Sequence, residues 1–175
     1  MKYLPLAAFL LLFAFGANAQ TDDCNLLIHK QIKDQFIKST KKEYIYNVPN
    51  RTLGIYVQNR NGSIQAMIDW DISPKALDAT QKFNPNKPLM LTFVLKDGTS
   101  VVLMLEEFKE GSGAKKVRYA NYMIGASVFL TPEQITALTK SPIVKVRETV
   151  YGIAFDDSNP LRADYWIRTI KCIQP

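Results

Sequence analysis

The amino-acid sequence predicts one α+β domain: an antiparallel β-meander of about seven strands, a short helix inserted before the last strand, and a C-terminal helix packed on the sheet. Three observations carry this expectation. Pro88 to Phe108 holds two apolar runs, rich in β-branched residues, on either side of Asp97-Gly98, a strong hairpin signal. From Glu43 onward the hydrophobic period is two in run after run. Thr131-Pro132-Glu133-Gln134 and Asn159-Pro160 each place a capping side chain before a proline, the usual start of a helix.

Taken in order, residues 20–42 come first. Ile28, Ile32 and Phe36 are spaced i, i+4, i+8, which predicts a short amphipathic helix. Tyr44 and Tyr46 begin a strand that Pro49-Asn50 ends, and Leu53 to Asn59 forms the next. Asn61-Gly62 then turns the chain into Ser63 to Ile72. In that run Ile64, Ala66, Ile68, Trp70 and Ile72 share one face, while Gln65, Asp69 and Asp71 share the other, as in a half-buried antiparallel strand. Ser73 to Lys87 is a polar connection with one helical turn around Ala76-Leu77.

The hairpin follows, with Leu89, Leu91, Phe93 and Leu95 alternating on one arm and Val101, Leu103 and Leu105 on the other. Val94, Val102 and Met104 make its second face apolar as well, so both faces are expected to be covered. Gly111-Ser112-Gly113 with Lys115-Lys116 marks an exposed loop. Tyr119 to Leu130 is a strand, and Thr131 caps a short helix that buries Ile135 and Leu138 and stops at Ser141-Pro142. Ile143 to Phe155 reads as one long strand, and Asp156-Asp157-Ser158-Asn159 as a turn and cap. Leu161 to Ile173 is the last helix, with Trp166, Ile170 and Ile173 on one face.

The N-terminus carries an export address. Lys2 supplies a positive n-region, Leu4 to Phe15 an apolar core, and Ala17-Asn18-Ala19 an A-x-A cleavage site, so residues 1–19 read as a cleaved signal peptide and 20–175 as the domain. The apolar run is shorter than the roughly 20 residues a transmembrane helix needs, and no anchor is expected after cleavage. Cys24 follows Asp22-Asp23 rather than small apolar residues, which argues against lipid attachment there. The expected location is the periplasm or the exterior. In such an oxidising compartment Cys24 and Cys172 are expected to form a disulfide; the alternative is two separate buried thiols. A bridge closing so long a loop would stabilise the fold by about 5 kcal/mol in the chain-entropy model. The net charge of +6 suits a soluble basic surface or an approach to anionic envelope polymers. Nucleic acid is not expected as a partner, because no recognition motif is present and export removes it.

Chemistry is sparse. His29 is the only histidine and has no partner at i+3 or i+4, so no metal site, Ser-His-Asp triad or Cys-His pair is expected. The chain has no P-loop, no G-x-G-x-x-G, no G-x-S-x-G and no EF-hand loop, and no cofactor is expected. The sharpest constellation is Asp69-Trp70-Asp71. Two carboxylates on one strand face stand about 7 Å apart, within the range of inverting glycosidase pairs. Alternation, however, sends Trp70 to the opposite face, away from any sugar they would hold. Glu106-Glu107 point to opposite faces of a strand, and Asp156-Asp157 lacks the ligand spacing of a calcium loop. Tyr44, Tyr46, Tyr56, Tyr119, Tyr122, Tyr151 and Tyr165 suit either cross-strand packing or a glycan- or peptide-binding face.

Over residues 88–173, L-x-F-x-L-K-D-G-T, L-T-P-E-Q-I-T-A-L, S-P-I-V-K-V-R and the closing K-C-I resemble small exported proteins of Gram-negative bacteria that are left uncharacterised. The resemblance implies export and agrees with the placement of Cys172; it implies no catalytic residue. The sequence therefore predicts a non-enzymatic binding or structural module of the cell envelope whose partner is an envelope protein or glycan. The competing expectation is a carbohydrate-active hydrolase using Asp69 and Asp71.

Overall fold

A computed structural model describes residues 28–32, 35–107 and 121–174. The expected signal peptide, Cys24, Tyr119 and the expected Gly111–Lys116 loop lie outside them. Nine strands follow one another in hydrogen-bonded order β1-β2-β4-β5-β8-β7-β6-β9-β10, and β3 pairs with β4 off this path. Every pairing is antiparallel. With two helices, the domain is α+β, as expected.

The strands are β1 (Ile28–Ile32), β2 (Gln35–Ser39), β3 (Glu43–Val48), β4 (Arg51–Arg60), β5 (Ser63–Ile72), β6 (Leu89–Leu95), β7 (Ser100–Glu107), β8 (Tyr122–Phe129), β9 (Ile143–Val150) and β10 (Ile153–Ser158). The helices are α1 (Pro132–Lys140) and α2 (Tyr165–Ile173). The expectation of about seven strands undercounts for two reasons. Ile28–Ile32 and Gln35–Ser39 form the paired strands β1 and β2 instead of a helix, with Ile32 opposite Gln35. A spacing of four satisfies a period of two as well as one of 3.6, so Ile28, Ile32 and Phe36 fit either element. The run from Ile143 to Phe155 is likewise two strands. Tyr151 and Gly152 both adopt positive φ, 50° and 88°, and make a two-residue turn that pairs Val150 with Ile153. Residues 156–158 thereby belong to β10 rather than to a turn, and the cap of α2 is Asp164 instead of Asn159.

The path is also not a simple meander, because β8 lies beside β5 and β9 beside β6. The β6–β7 hairpin turns where expected, with Gly98 at φ 85° and its N–H donating to Leu95 O at 2.9 Å. Among the described residues β7 joins β8 through Glu106 opposite Ser127 and Glu107 opposite Ala126. Trp70 of β5 bonds Glu148 of β9 and Arg51 of β4 bonds Asp157 of β10, so the half holding β3, β4, β5 and β8 meets the half holding β6, β7, β9 and β10 at one core.

That core follows the alternation in the sequence. Ile64, Ala66, Ile68, Trp70 and Ile72 of β5 are buried, as are Leu89, Leu91, Phe93 and Leu95 of β6 and Val101, Leu103 and Leu105 of β7. Each large apolar side chain so buried contributes about 1.5–3 kcal/mol, whereas an exposed pair such as Lys145–Asp156 contributes about 0–1 kcal/mol. The inner faces therefore dominate stability. α1 starts as expected: Thr131 Oγ1 accepts from Gln134 N, Gln134 Oε1 accepts from Thr131 N, and Pro132 occupies the first turn. α2 buries Tyr165, Trp166, Thr169, Ile170 and Ile173, with Trp166 edge-on to Phe93 at 5.6 Å.

One expectation about the hairpin fails. Its inner face is covered, but Val102 and Met104 are 44% and 57% exposed. An apolar period marks which residues share a face; it does not guarantee that anything packs on both.

Candidate functional site

The predicted acid pair does not assemble a site. Asp69 and Asp71 lie on the outward face of β5, where Asp69 Oδ2 accepts from Lys42 Nζ at 3.0 Å and Asp71 Oδ1 from Asn121 Nδ2 at 2.8 Å. Trp70 points into the core, so no aromatic platform from it stands beside the two acids. Lys42 reaches Asp69 by crossing β4 at Gly54, where a Cβ would come within 2.8 Å of Lys42 Cδ. A side chain there would have to displace the Lys42 stem, so glycine serves close approach rather than a special backbone angle. Burial opposes the Lys42 charge, but the hydrogen bond and charge of Asp69 outweigh it and raise the ammonium above its usual value.

The other predicted residues also separate. Glu106 and Glu107 are exposed at the β7 end, and Glu107 Oε2 accepts from Tyr151 Oη at 2.5 Å. Asp156 pairs outward with Arg147 at 2.8 Å and Lys145 at 3.2 Å, while Asp157 turns inward. No three His, Cys, Asp or Glu side chains among the described residues gather as metal ligands. His29 lies on β1 and Cys172, half-buried, on α2. Tyr46 and Tyr165 are buried in the core, and Tyr44 and Tyr122 are largely open to solvent. A bulge in β3 between Tyr44 and Tyr46 sends the first outward and the second inward, although their spacing of two would place both on one face.

Two clusters that the sequence reading did not single out are better built. The first is sealed between the two halves of the sheet. Glu148 on β9 is 0% exposed; its Oε2 accepts from Trp70 Nε1 at 2.6 Å, and its Oε1 has no hydrogen-bond partner. Arg51, 8% exposed at the start of β4, lies 3.8 Å from Glu148 but donates directly to Asp157 Oδ2. Its guanidinium carbon sits 4.3 Å from the Phe155 ring centroid, and Tyr46 Oη donates to the Asp157 carbonyl at 2.6 Å. With one cation and two carboxylates in a dry space, neutrality is reached if one acid keeps its proton. Burial pushes the Glu148 carboxyl up to about 8, with Arg51 opposing and Asp157 reinforcing. Burial and Asp157 also hold the Tyr46 phenol well above its usual range. A signal for this cluster exists in the sequence: Glu148 sits between Val146 and Val150 in a period-two register.

The second cluster is open. A groove of about 760 Å³ runs between β3 and the segment leading into α2, lined by Lys42, Glu43, Tyr44, Asn47, Arg162 and Arg168 among others. At its base Glu43 takes a two-pronged contact from Arg168, at 3.0 and 2.8 Å. Arg162 Nε approaches the same carboxylate at 3.3 Å. The backbone closes the groove floor, since Leu161 N donates to Ile45 O at 2.9 Å. Among the lining residues there is no serine, histidine or cysteine. Such a surface offers charge, amide and aromatic contacts, the chemistry of holding rather than of covalent attack.

No family model matches this chain, and neither a curated protein nor a solved structure matches it.

Proposed function

We propose that this chain is an exported, non-enzymatic binding domain of the cell envelope, periplasmic or secreted, that holds an envelope glycan or protein in the groove between β3 and α2. The observation that carries this reading is the division of polar groups. The strongly perturbed acid, Glu148, is sealed in the core, while the open groove presents Tyr44, Asn47, Arg162 and Lys42 around an already neutralised Glu43–Arg168 pair. A buried acid cannot reach a substrate without opening the two sheet halves, whereas the groove is accessible as it stands. The export part rests on the apolar run Leu4–Phe15 and the Ala17-Asn18-Ala19 site. No described helix is long and apolar enough to cross a membrane. The hydrolase alternative asks for an aromatic beside Asp69 and Asp71, and Trp70 is in the core instead.

The test is photo-crosslinking in an envelope fraction from a reactive residue in place of exposed Leu161, with Asp97 at the hairpin tip as control position. Adducts from position 161 and not from 97 support the reading. Equal labelling from both positions, or none from 161, overturns it. Turnover of glycan or ester substrates by the purified chain, abolished by Asp69→Asn, would overturn the non-enzymatic part.

Export also implies that Cys24 is bridged to Cys172. Mass spectrometry of the non-reduced mature chain is expected to give one disulfide-linked peptide pair containing both. Two alkylatable thiols would refute the bridge.

A further inference from the structure

We propose that the groove takes a carboxylated glycan, with the Arg162 fork binding the carboxylate and Tyr44 stacking on the sugar ring that bears it. The inference rests on the groove being the binding site and names its ligand class.

The charge distribution points to an anion. Arg168 uses both ends of its fork on Glu43, and Lys42 Nζ is hydrogen-bonded to Asp69. Arg162, 59% exposed, makes no hydrogen bond to a carboxylate among the described residues and approaches Glu43 only through Nε. A guanidinium engaged on its Nε side leaves its two Nη groups to form a planar, two-pronged contact, which suits a carboxylate better than a point charge would. The lining holds Lys42, Arg162 and Arg168 against Glu43 and Asp164, and Asp69 offsets Lys42 from outside it, so the anion contact rests on the Arg162 fork rather than on net charge.

Tyr44 and the strand edge point to a sugar rather than a peptide. Tyr44 is 45% exposed because the β3 bulge turns it outward, and it stands at the groove wall with the Lys42 ammonium 5.8 Å from its ring centroid. A flat aromatic surface next to a guanidinium and the Asn47 amide matches a ring with apolar C–H faces and polar edges. An acidic peptide would bind such an edge most strongly by adding a strand. That route is obstructed, since the Ile45 carbonyl already accepts from Leu161 N. The groove volume of about 760 Å³ lies within the range of small-ligand sites.

Calorimetry on the full mature chain at low salt tests this with four probes: trigalacturonate, a sialylated trisaccharide, the methyl ester of trigalacturonate, and a glutamate tripeptide. The expected result is binding of at least one acidic sugar, with the neutral ester at least tenfold weaker. Tyr44→Ala, Arg162→Ala and Arg162→Lys are each expected to weaken binding at least tenfold with an unchanged circular dichroism spectrum. The lysine variant keeps the charge and loses the fork, which separates planar recognition from general attraction. Four results overturn the proposal: no binding of either acidic sugar, equal binding of the ester, glutamate peptide binding as tight as the sugars and indifferent to Tyr44, or affinity unchanged in Arg162→Lys. If position 161 still crosslinks to an envelope partner while neither acidic sugar binds, the ligand class is wrong and the groove assignment stands. If position 161 gives no adduct, the groove assignment itself is wrong.

Discussion

Replacing Arg51 by methionine is expected to lower the unfolding free energy by about 3–5 kcal/mol near neutral pH, the usual cost of leaving a buried charge without its partner. Methionine approximates the length of the side chain and can still pack against Phe155, which lies 4.3 Å from the guanidinium carbon, so the loss isolates the charge. Asp157 accepts directly from Arg51 and stands close enough to bias Glu148, and without Arg51 these two carboxyl groups have no cation between them. Combining Arg51→Met with Asp157→Asn is expected to recover part of the loss, because no charge is then stranded. Urea titrations of the unaltered chain and the two variants measure both effects. A loss below about 1 kcal/mol would put this pair in the class of surface ion pairs and refute the argument from burial.

Glu148→Gln is expected to change how stability depends on pH. A carboxyl raised from 4.5 to about 8 keeps its proton in the folded chain across a window where the unfolded chain has lost it. The folded state then binds more protons, so the Glu148 contribution is present below the unfolded value near 4.5 and is lost progressively as pH rises through about 8. Glutamine removes that slope while still offering an oxygen to Trp70 Nε1. Below pH 4.5 the two proteins should have similar stability, and above pH 8 the variant should be the more stable by a few kcal/mol. Denaturation midpoints at pH 4, 6.5 and 9 measure the difference directly, with other titrating groups cancelling between the two proteins. Parallel pH profiles would show that Glu148 does not carry the raised value.

Several features were legible in the residue order because local rules govern them. Alternation in Ile64–Ile72 placed Trp70 inward and Asp69 and Asp71 outward, and the Thr131/Gln134 capping box formed as its residue types require. Other local signals were ambiguous. Ile28, Ile32 and Phe36 fit a helix and a strand equally, and pairing with β4 through Ile37 opposite Arg60 decided for the strand. Tyr151-Gly152 is a weaker turn signal than Asn-Gly, since tyrosine seldom takes positive φ; Asn84 N, which donates to the Tyr151 carbonyl, and Glu107, which receives its hydroxyl, help to hold it there.

The functional surfaces were harder to read because their parts are far apart in the chain. Glu43 meets Arg168 across 125 residues, and Arg51 meets Asp157 across 106. What the residue order determined by itself is the α+β class, the inner face of the central strands, the start of α1 and the charge balance. The period of a strand says which side chains share a face but carries no information about what stands opposite them. Packing the two halves of the sheet on one core placed Glu148 against Trp70 and so set which acid becomes buried. Packing the segment before α2 along β3 brought Arg162 and Tyr44 to the lining of one groove. Those partnerships depend on long-range packing, where burial and charge are shared between distant segments, and only the tertiary structure decided them.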